Sequence, residues 1–327
     1  MRPVESLRTL YHPDCPDFLR CLAETPAMAR LGDVGMNCGC QYTAFPLFRT
    51  LPPYSRLDHS IGVALIVWHF TRDPAQAAAG LFHDIATPVF SHVVDFLLGD
   101  HLRQEATEER TGDCIRRSPE IMAQLTALGL TPEAVEDYHR YSVADNDSPR
   151  LSADRLEYTL GNLLNYGFAD LPQLRRFYED LTVCQGELTF CTRETAAEFA
   201  LAALRCSRVY VADEDRFAME ALADLLRTAL DRGCLTMEDL WGTEQPVIAR
   251  LTADPVCGPL WTEFRGYSRI RRTDAKPSRG RWFRVDAKLR YIDPCVAGLG
   301  PISRLDSRVG EALEAFRQTT FDDWIGL

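Results

Sequence analysis

The chain has 327 residues, 46% of them hydrophobic and 25% charged, with a formal net charge of −11 at pH 7. Those are globular proportions that exclude a disordered chain, and the length suffices for one large domain or two modest ones. The negative charge disfavours non-specific nucleic-acid binding.

The first residues, MRPVESLRTLYHPDCPDF, lack the apolar core of a signal segment, and no stretch approaches the length of a membrane span. Eleven cysteines are scattered and odd in number; CGC at 38 to 40 is their one tight cluster. This pattern reads as reduced thiols in a cytoplasmic protein rather than a disulfide framework, and a single CxC is a weak zinc signal.

In chain order the pattern is mostly helical. HSIGVALIVWHF is apolar enough for a buried helix and places His59 at its start. AQAAAGLFHD is rich in the strong helix former Ala and ends in the adjacent pair His83-Asp84. Pro88 allows a turn before SHVVDFLLGDHL resumes the helical period. TPEAVEDYHRY carries a Thr cap and a Pro at the first helical position, so it predicts another helix. A further helix is predicted after Pro149, with Ser152 as its cap and Asp154 in its first turn. The stretch from 193 to 230 reads as two amphipathic helices, the character changes near Pro246, and RWFRVDAKLRYI alternates as a strand does. The predicted fold class is mainly α, with a helical bundle over 1–170. A C-terminal extension over 171–327 carries a basic, partly β segment at about 246–300.

His83-Asp84 ends an apolar run, where an imidazole and a carboxylate are costly without partners. A divalent cation would partner both. With His59 and Asp154 it would have a mixed nitrogen and oxygen site, the donor set of Mn, Fe, Zn, Co or Ni, with positions left open for water and substrate. Taken singly, His59 also reads as a capping histidine and Asp154 as a carboxylate favoured by the helix dipole. His92 and Asp95 stand three apart on one helix face, as an acid-base pair or as a phosphate contact. Arg56 and Arg155 have the fork that matches phosphate oxygens, and a structural ion pair is the plainer reading. Tyr158, one turn after Asp154, reads as a pocket residue or a packing one. His69, His101 and His139 have no recognised partners.

Three blocks in order, SRLDHSIGVA (55–64), HDIATPVFSHVVD (83–95) and LSADRLEYTLGNLLNYG (151–167), resemble the HD-domain phosphohydrolases, and most nearly their deoxynucleoside triphosphate triphosphohydrolase branch, which includes the SAM-and-HD-domain enzyme. The lead-in segments RLGDVG and YTAFP are also similar, so the resemblance covers roughly residues 25 to 170. It implies that His59, His83, Asp84 and Asp154 hold one divalent metal (Mn, Fe, Zn, Co, Ni or Mg) that activates water on a nucleotide phosphate. It further implies that Arg56, Arg155 and Tyr158 contact substrate and that His92, oriented by Asp95, gives a proton to the leaving group. Homo-oligomers are an expectation from the same branch. The chain departs from the branch pattern HDxGHGPFSH at Ala86 and Thr87, and from a following His-Glu pair at Gln104 or Thr107. Glu105, Glu108 and Glu109 are then further candidates for proton work.

Ten basic residues stand between Arg265 and Arg290 against only Asp274 and Asp286, a local charge of +8 in an acidic chain. This island predicts an anion site for nucleotide phosphates or a nucleic-acid backbone, or else ion pairs with acidic patches of the protein's own fold or of a neighbouring subunit. Two readings from other classes follow. One is a catalytically impaired HD protein that binds nucleotide and metal as a sensor or assembly partner. The other is a nucleic-acid-binding module built on residues 265–290.

Overall fold

A computed structural model describes residues 3–99 and 110–327. The sequence candidates Gln104, Glu105, Thr107, Glu108 and Glu109, and His101 with them, lie outside the described residues. The fold is mainly α, as predicted. α1 (Pro3–Tyr11), α2 (Asp17–Ala23) and α3 (Pro26–Ala29) precede the central α4 (Arg56–Thr71), which packs against α5 (Pro74–Phe82). Then come α6 (Val93–Leu98), α7 (Thr111–Arg117), α8 (Pro119–Ala127), α9 (Ala153–Asn165), α10 (Leu171–Glu179), α11 (Arg193–Val209) and α12 (Asp213–Asp231). α13 (Glu244–Ala253), α14 (Cys257–Arg265) and α15 (Ser307–Arg317) complete the helices.

α4 starts where it does because Ser55 and Asp58 form a reciprocal capping box. It stops at Arg72, whose φ of 55° breaks the helix before Asp73 and Pro74 begin α5. Ser55, Asp73 and Ser152 each accept a backbone N–H with the side chain, so the starts of α4, α5 and α9 are fixed locally. Ser152 is thus the cap that the sequence predicts. α11 and α12 are the two helices expected over 193–230.

Residues 244–265 fold as α13 and α14, so the change of character expected near Pro246 comes about twenty residues later. Pro246 sits in the first turn of α13, where its missing N–H costs nothing. The strands are short. β1 (Leu181–Cys184) and β2 (Glu187–Phe190) form a hairpin, continued by β5 (Cys295–Val296) and β6 (Gly300–Pro301). β3 (Arg271–Thr273) and β4 (Trp282–Phe283) flank β7 (Trp324–Gly326).

Two expectations are corrected. TPEAVEDYHRY is two single 3₁₀ turns, Pro132–Ala134 and Tyr138–Arg140. The Asp137 carboxylate captures the His139 N–H, and Val135 is the segment's only fully buried apolar residue, so nothing holds a continuous helix there. In RWFRVDAKLRYI only Trp282 and Phe283 pair as strand; 284–293 is an irregular strap. Its ends are held by packing and by bonds outside any ladder: Val285 and Ile292 are buried, Arg216 donates to the Val285 carbonyl, and the Asp293 N–H reaches the Pro149 carbonyl at 2.8 Å.

Two buried apolar clusters form the interior. One centres on α4, α5, α9 and α11, the other on α6, α12 and α14. No described helix is long and apolar enough to cross a membrane.

Candidate metal centre

α4, the end of α5 and the first turn of α9 bring His59, His83 and Asp154 together, with one ligand atom of each within 4.8 Å of the others. His59 Nε2 lies 3.1 Å from His83 Nε2 and 3.0 Å from Asp154 Oδ1. The opposite nitrogen of each ring is committed. His83 Nδ1 faces the Gly80 carbonyl at 2.8 Å, and His59 Nδ1 faces the Glu157 carboxylate at 2.5 Å. Both Nδ1 atoms must therefore donate, which leaves both Nε2 lone pairs aimed at one point beside a carboxylate oxygen. Such a point needs a proton or a cation. Burial opposes a charge on His59, but hydrogen bonds donated to the Asp154 and Glu157 carboxylates override it and raise its pKa to about 10. A divalent ion fits the same electrostatic demand, and the nitrogen-nitrogen-oxygen donor set is a metal's.

Asp84 stands at the edge of this cluster. Its Oδ2 is 3.7 Å from His83 Nε2 and 2.9 Å from Arg56 Nη1, and its Oδ1 accepts the Thr87 hydroxyl at 2.8 Å. Burial raises the Asp84 pKa, and Arg56 and the two histidines more than reverse that, holding the carboxyl well below the usual range. Thr87, where the resembled branch has a His, thus serves to orient Asp84. Arg56 is buried and also donates to Ser91 Oγ at 3.0 Å.

Sequence reasoning missed Glu157. It is fully buried, and besides His59 it accepts from the Tyr54 and Tyr11 hydroxyls. The space for it comes from Gly62: a Cβ there would lie 2.5 Å from Glu157 Oε1. A Cβ at Gly161 would lie 2.7 Å from the Tyr54 hydroxyl in the same way. The carboxylate fixes which His59 nitrogen carries the proton, the usual supporting role behind a ligating histidine. Glu157, three residues after Asp154, and Gly62, three after His59, were the available signals.

The cluster opens into a cavity of about 520 Å³. His92 lines it, a third exposed, with its Nδ1 2.9 Å from the buried Asp95 carboxylate, so its Nε2 is left for the cavity. Desolvation is the largest influence on His92 and lowers its pKa. Phe90 and Ser91, just before it, have φ of 60° and 50°, a left-handed turn that non-glycine residues adopt only when held. Tyr158 also lines the cavity, its ring 6.5 Å from that of His59, and burial pushes its phenol up to about 12.

Arg155 lines the cavity too, but its guanidinium bonds to the 145–150 loop. It donates to the Arg150 carbonyl at 2.7 Å and to both Asn146 oxygens, and it pairs with Asp145 at 2.9 Å. His139 bonds the other Asp145 oxygen at 2.8 Å. Cys38 lines the cavity as well, and burial pushes its thiol up to about 11. The 38–40 cysteines do not join the metal-competent cluster.

Of the basic island, Arg272 pairs with Asp213, Arg281 with Asp224 and Arg284 with Asp322, whereas Lys288 and Arg290 line the cavity. These three ion pairs show the protein's own acidic groups answering part of the island's charge.

No family profile matches the chain. It is 24% identical over 270 residues to the metal-dependent phosphohydrolase cns2 of Cordyceps militaris, covering 79% of this chain and 75% of that protein. The likeness is to a metal-dependent phosphohydrolase. The chain is also 28% identical over 247 residues to the uncharacterized protein YdhJ of Bacillus subtilis, covering 74% of each. In fold it matches a hypothetical protein of Aquifex aeolicus, with a TM-score of 0.68 at 16% identity over 95% of this chain and 92% of that one. It also matches a phosphohydrolase of Bacteroides thetaiotaomicron, with a TM-score of 0.61 at 15% identity over 95% and 96%. The likeness to cns2 supports a metal-dependent phosphohydrolase, and the two structural neighbours show the fold.

Proposed function

We propose that this protein is a metal-dependent phosphohydrolase whose substrate is a nucleotide, a (deoxy)nucleoside phosphate. The observation that carries the reading is the convergence of the His59 and His83 Nε2 lone pairs on Asp154 Oδ1, with both Nδ1 protons held away from that point. His59, His83 and Asp154 would hold one divalent ion, with Asp84 as the fourth ligand. When bound, the ion supplies Lewis acidity and lowers the pKa of water.

The chain's own groups do the rest. Arg56 holds Asp84 in place and puts positive charge beside the phosphoryl site. His92, held by Asp95 through Nδ1, presents Nε2 to the cavity, and in its imidazolium form it gives the Nε2 proton to the departing oxygen and is left as the neutral Nδ1–H tautomer. Tyr158, its phenol neutral at physiological pH, lines the path from that site into the cavity. Arg155 supports the site by fixing the loop that forms one wall. Lys288 and Arg290, on the strap from the basic island, put positive charge on another wall, which favours an anionic substrate. In this reading residues 1–170 are the metal-binding core, and 171–327 close the cavity through Tyr210, Asp215 and the strap.

The test is elemental analysis of wild type beside His83→Ala, with phosphate release from a panel of nucleotides measured on both. About one transition metal per chain and phosphate release, both lost in the variant, is the expected result. A wild type that takes up no metal after incubation with manganese sinks the proposal.

A further inference from the structure

Asp215 lines the cavity away from the metal-competent cluster, and the reaction proposed above gives it no task. The only hydrogen bond of its carboxyl among the described residues comes from the Cys40 thiol, at a sulfur–oxygen distance of 3.8 Å. The adjacent Arg216 does not neutralise it. That guanidinium is spent on Asp213 and on the Val211 and Val285 carbonyls. Desolvation accordingly raises the Asp215 pKa to about 7. A carboxyl facing a cavity with one weak thiol bond is costly to keep, and a ligand N–H is the partner it lacks.

The surroundings say what kind of ligand brings that N–H. Tyr166 is close enough for the Asp215 charge to add to burial in raising its phenol pKa, and Tyr210, Phe96 and Met219 line the cavity beside them. Aromatic rings and a thioether accept a flat heterocycle. Position along α9 agrees. Asp154, Tyr158, Asn162 and Tyr166 all line the cavity and recur every four residues, so the helix runs as its floor from the metal end for about 18 Å. A phosphate over Asp154 leaves the far end of the molecule at Tyr166 and Asp215.

We propose that Asp215 reads the base of the nucleotide, accepting a hydrogen bond from the exocyclic amino group of a heterocycle lodged among Tyr166, Tyr210, Phe96 and Met219. The inference deepens the nucleotide reading above and rests on it for the phosphate's position. A carboxyl oxygen accepts readily from such an amino group. Once ionised, the carboxyl offers only acceptors, so a keto oxygen in the same place meets another acceptor, and a site built around a hydrogen bond discriminates strongly against its loss. Adenine, guanine and cytosine carry the required group; uracil and hypoxanthine do not.

Nucleosides, which lack the phosphate, separate this proposal from the hydrolytic one. Adenosine against inosine and cytidine against uridine are titrated calorimetrically into wild type and Asp215→Leu. In wild type at pH 8, where the Asp215 carboxyl is ionised, the amino member of each pair should bind at least tenfold more tightly than its keto partner. In Asp215→Leu both members should bind alike, with a melting temperature no lower than wild type's. Equal binding within both pairs in wild type overturns the proposal without reference to any variant, and so does discrimination that survives in Asp215→Leu. Phosphate release is scored separately. A protein that prefers amino bases but releases phosphate from no nucleotide keeps the base reading and loses the hydrolytic one. A protein that hydrolyses phosphoesters with no base preference does the reverse.

Discussion

Glu157→Gln keeps the size of a side chain that no solvent reaches and removes only its charge. The glutamine amide has one acceptor oxygen where the carboxylate has two. It cannot accept from His59 Nδ1 and from the Tyr54 and Tyr11 hydroxyls at once without turning its NH₂ toward one of them. Losing a charge-assisted hydrogen bond costs about 1.5–3 kcal/mol in the metal-free protein. Loss of an orienting partner behind a ligating histidine weakens metal binding by roughly 10–100-fold, or about 1.4–2.8 kcal/mol. At a metal concentration of about 100 times the wild-type Kd, the ion stabilises the fold by about 2.7 kcal/mol; a tenfold weaker site recovers about 1.4. The assay is competition for Mn²⁺ or Zn²⁺ against a chromophoric chelator, with melting temperatures taken with and without metal. Asp58→Asn is the control. It removes the charge from the Arg8 ion pair and one of the two acceptor oxygens shared between Arg8 and Ser55, so it costs stability in the same helix without removing a ligand. Its metal Kd should stay at the wild-type value while that of Glu157→Gln rises. A Glu157→Gln protein that binds metal within twofold of wild type refutes the positioning role.

Three further outcomes follow from the geometry. His92→Ala should lower kcat by about 10²–10⁴ while metal content stays at the wild-type level; loss of metal in this variant would place His92 among the ligands instead. Gly62→Ala drives a methyl against Glu157 Oε1 and should destabilise the fold by about 1–3 kcal/mol, lowering metal affinity with it, whereas an unchanged Kd would mean that Glu157 moves without consequence for His59. Asp215→Asn should reveal a pH-dependent stability gap. The folded pKa, raised to about 7 by burial, lies above the unfolded value near 3.8, so the folded state binds the extra proton and wild-type stability falls as pH rises between those values. The groups around it are Cys38 and Cys40 from the 37–40 turn, Tyr166 from α9, and Glu214 and Arg216 from its own helix. Chemical denaturation should show the variant gaining on wild type from pH 5 to about pH 7 and then holding level, and a gap that does not vary with pH would contradict the assignment.

What was legible in the chain and what was not divides along a physical line. That His59, His83 and Asp154 meet, with Asp84 at their edge, was readable because each lies at a helix end that the local sequence defines: a Ser55 cap, an Ala-rich run stopping at His83, a Ser152 cap. Local signals of the same kind misled at TPEAVEDYHRY, where a Thr and a Pro announce a helix start but no apolar face exists to continue it. Roles that depend on distant partners left no local mark. Glu157 has the helical spacing of any solvent-facing glutamate, and only Tyr54, Tyr11 and Gly62, about a hundred residues or more away in the chain, make it a buried acceptor for His59. Arg155 has the fork of a phosphate ligand, yet the same fork fits the carbonyls of the 145–150 loop, and the structure gives it to them. The basic island shows the division within one segment. Its charge count is plain in the sequence, but only the fold sends Arg272, Arg281 and Arg284 to acids on α12 and near the C-terminus while turning Lys288 and Arg290 into the cavity. The strap turns that way because Arg216 and Pro149 fasten it from two different parts of the chain. One of those fasteners immediately follows Asp215, so the guanidinium that leaves the Asp215 carboxyl with only the Cys40 thiol is the one that holds the cationic wall in place.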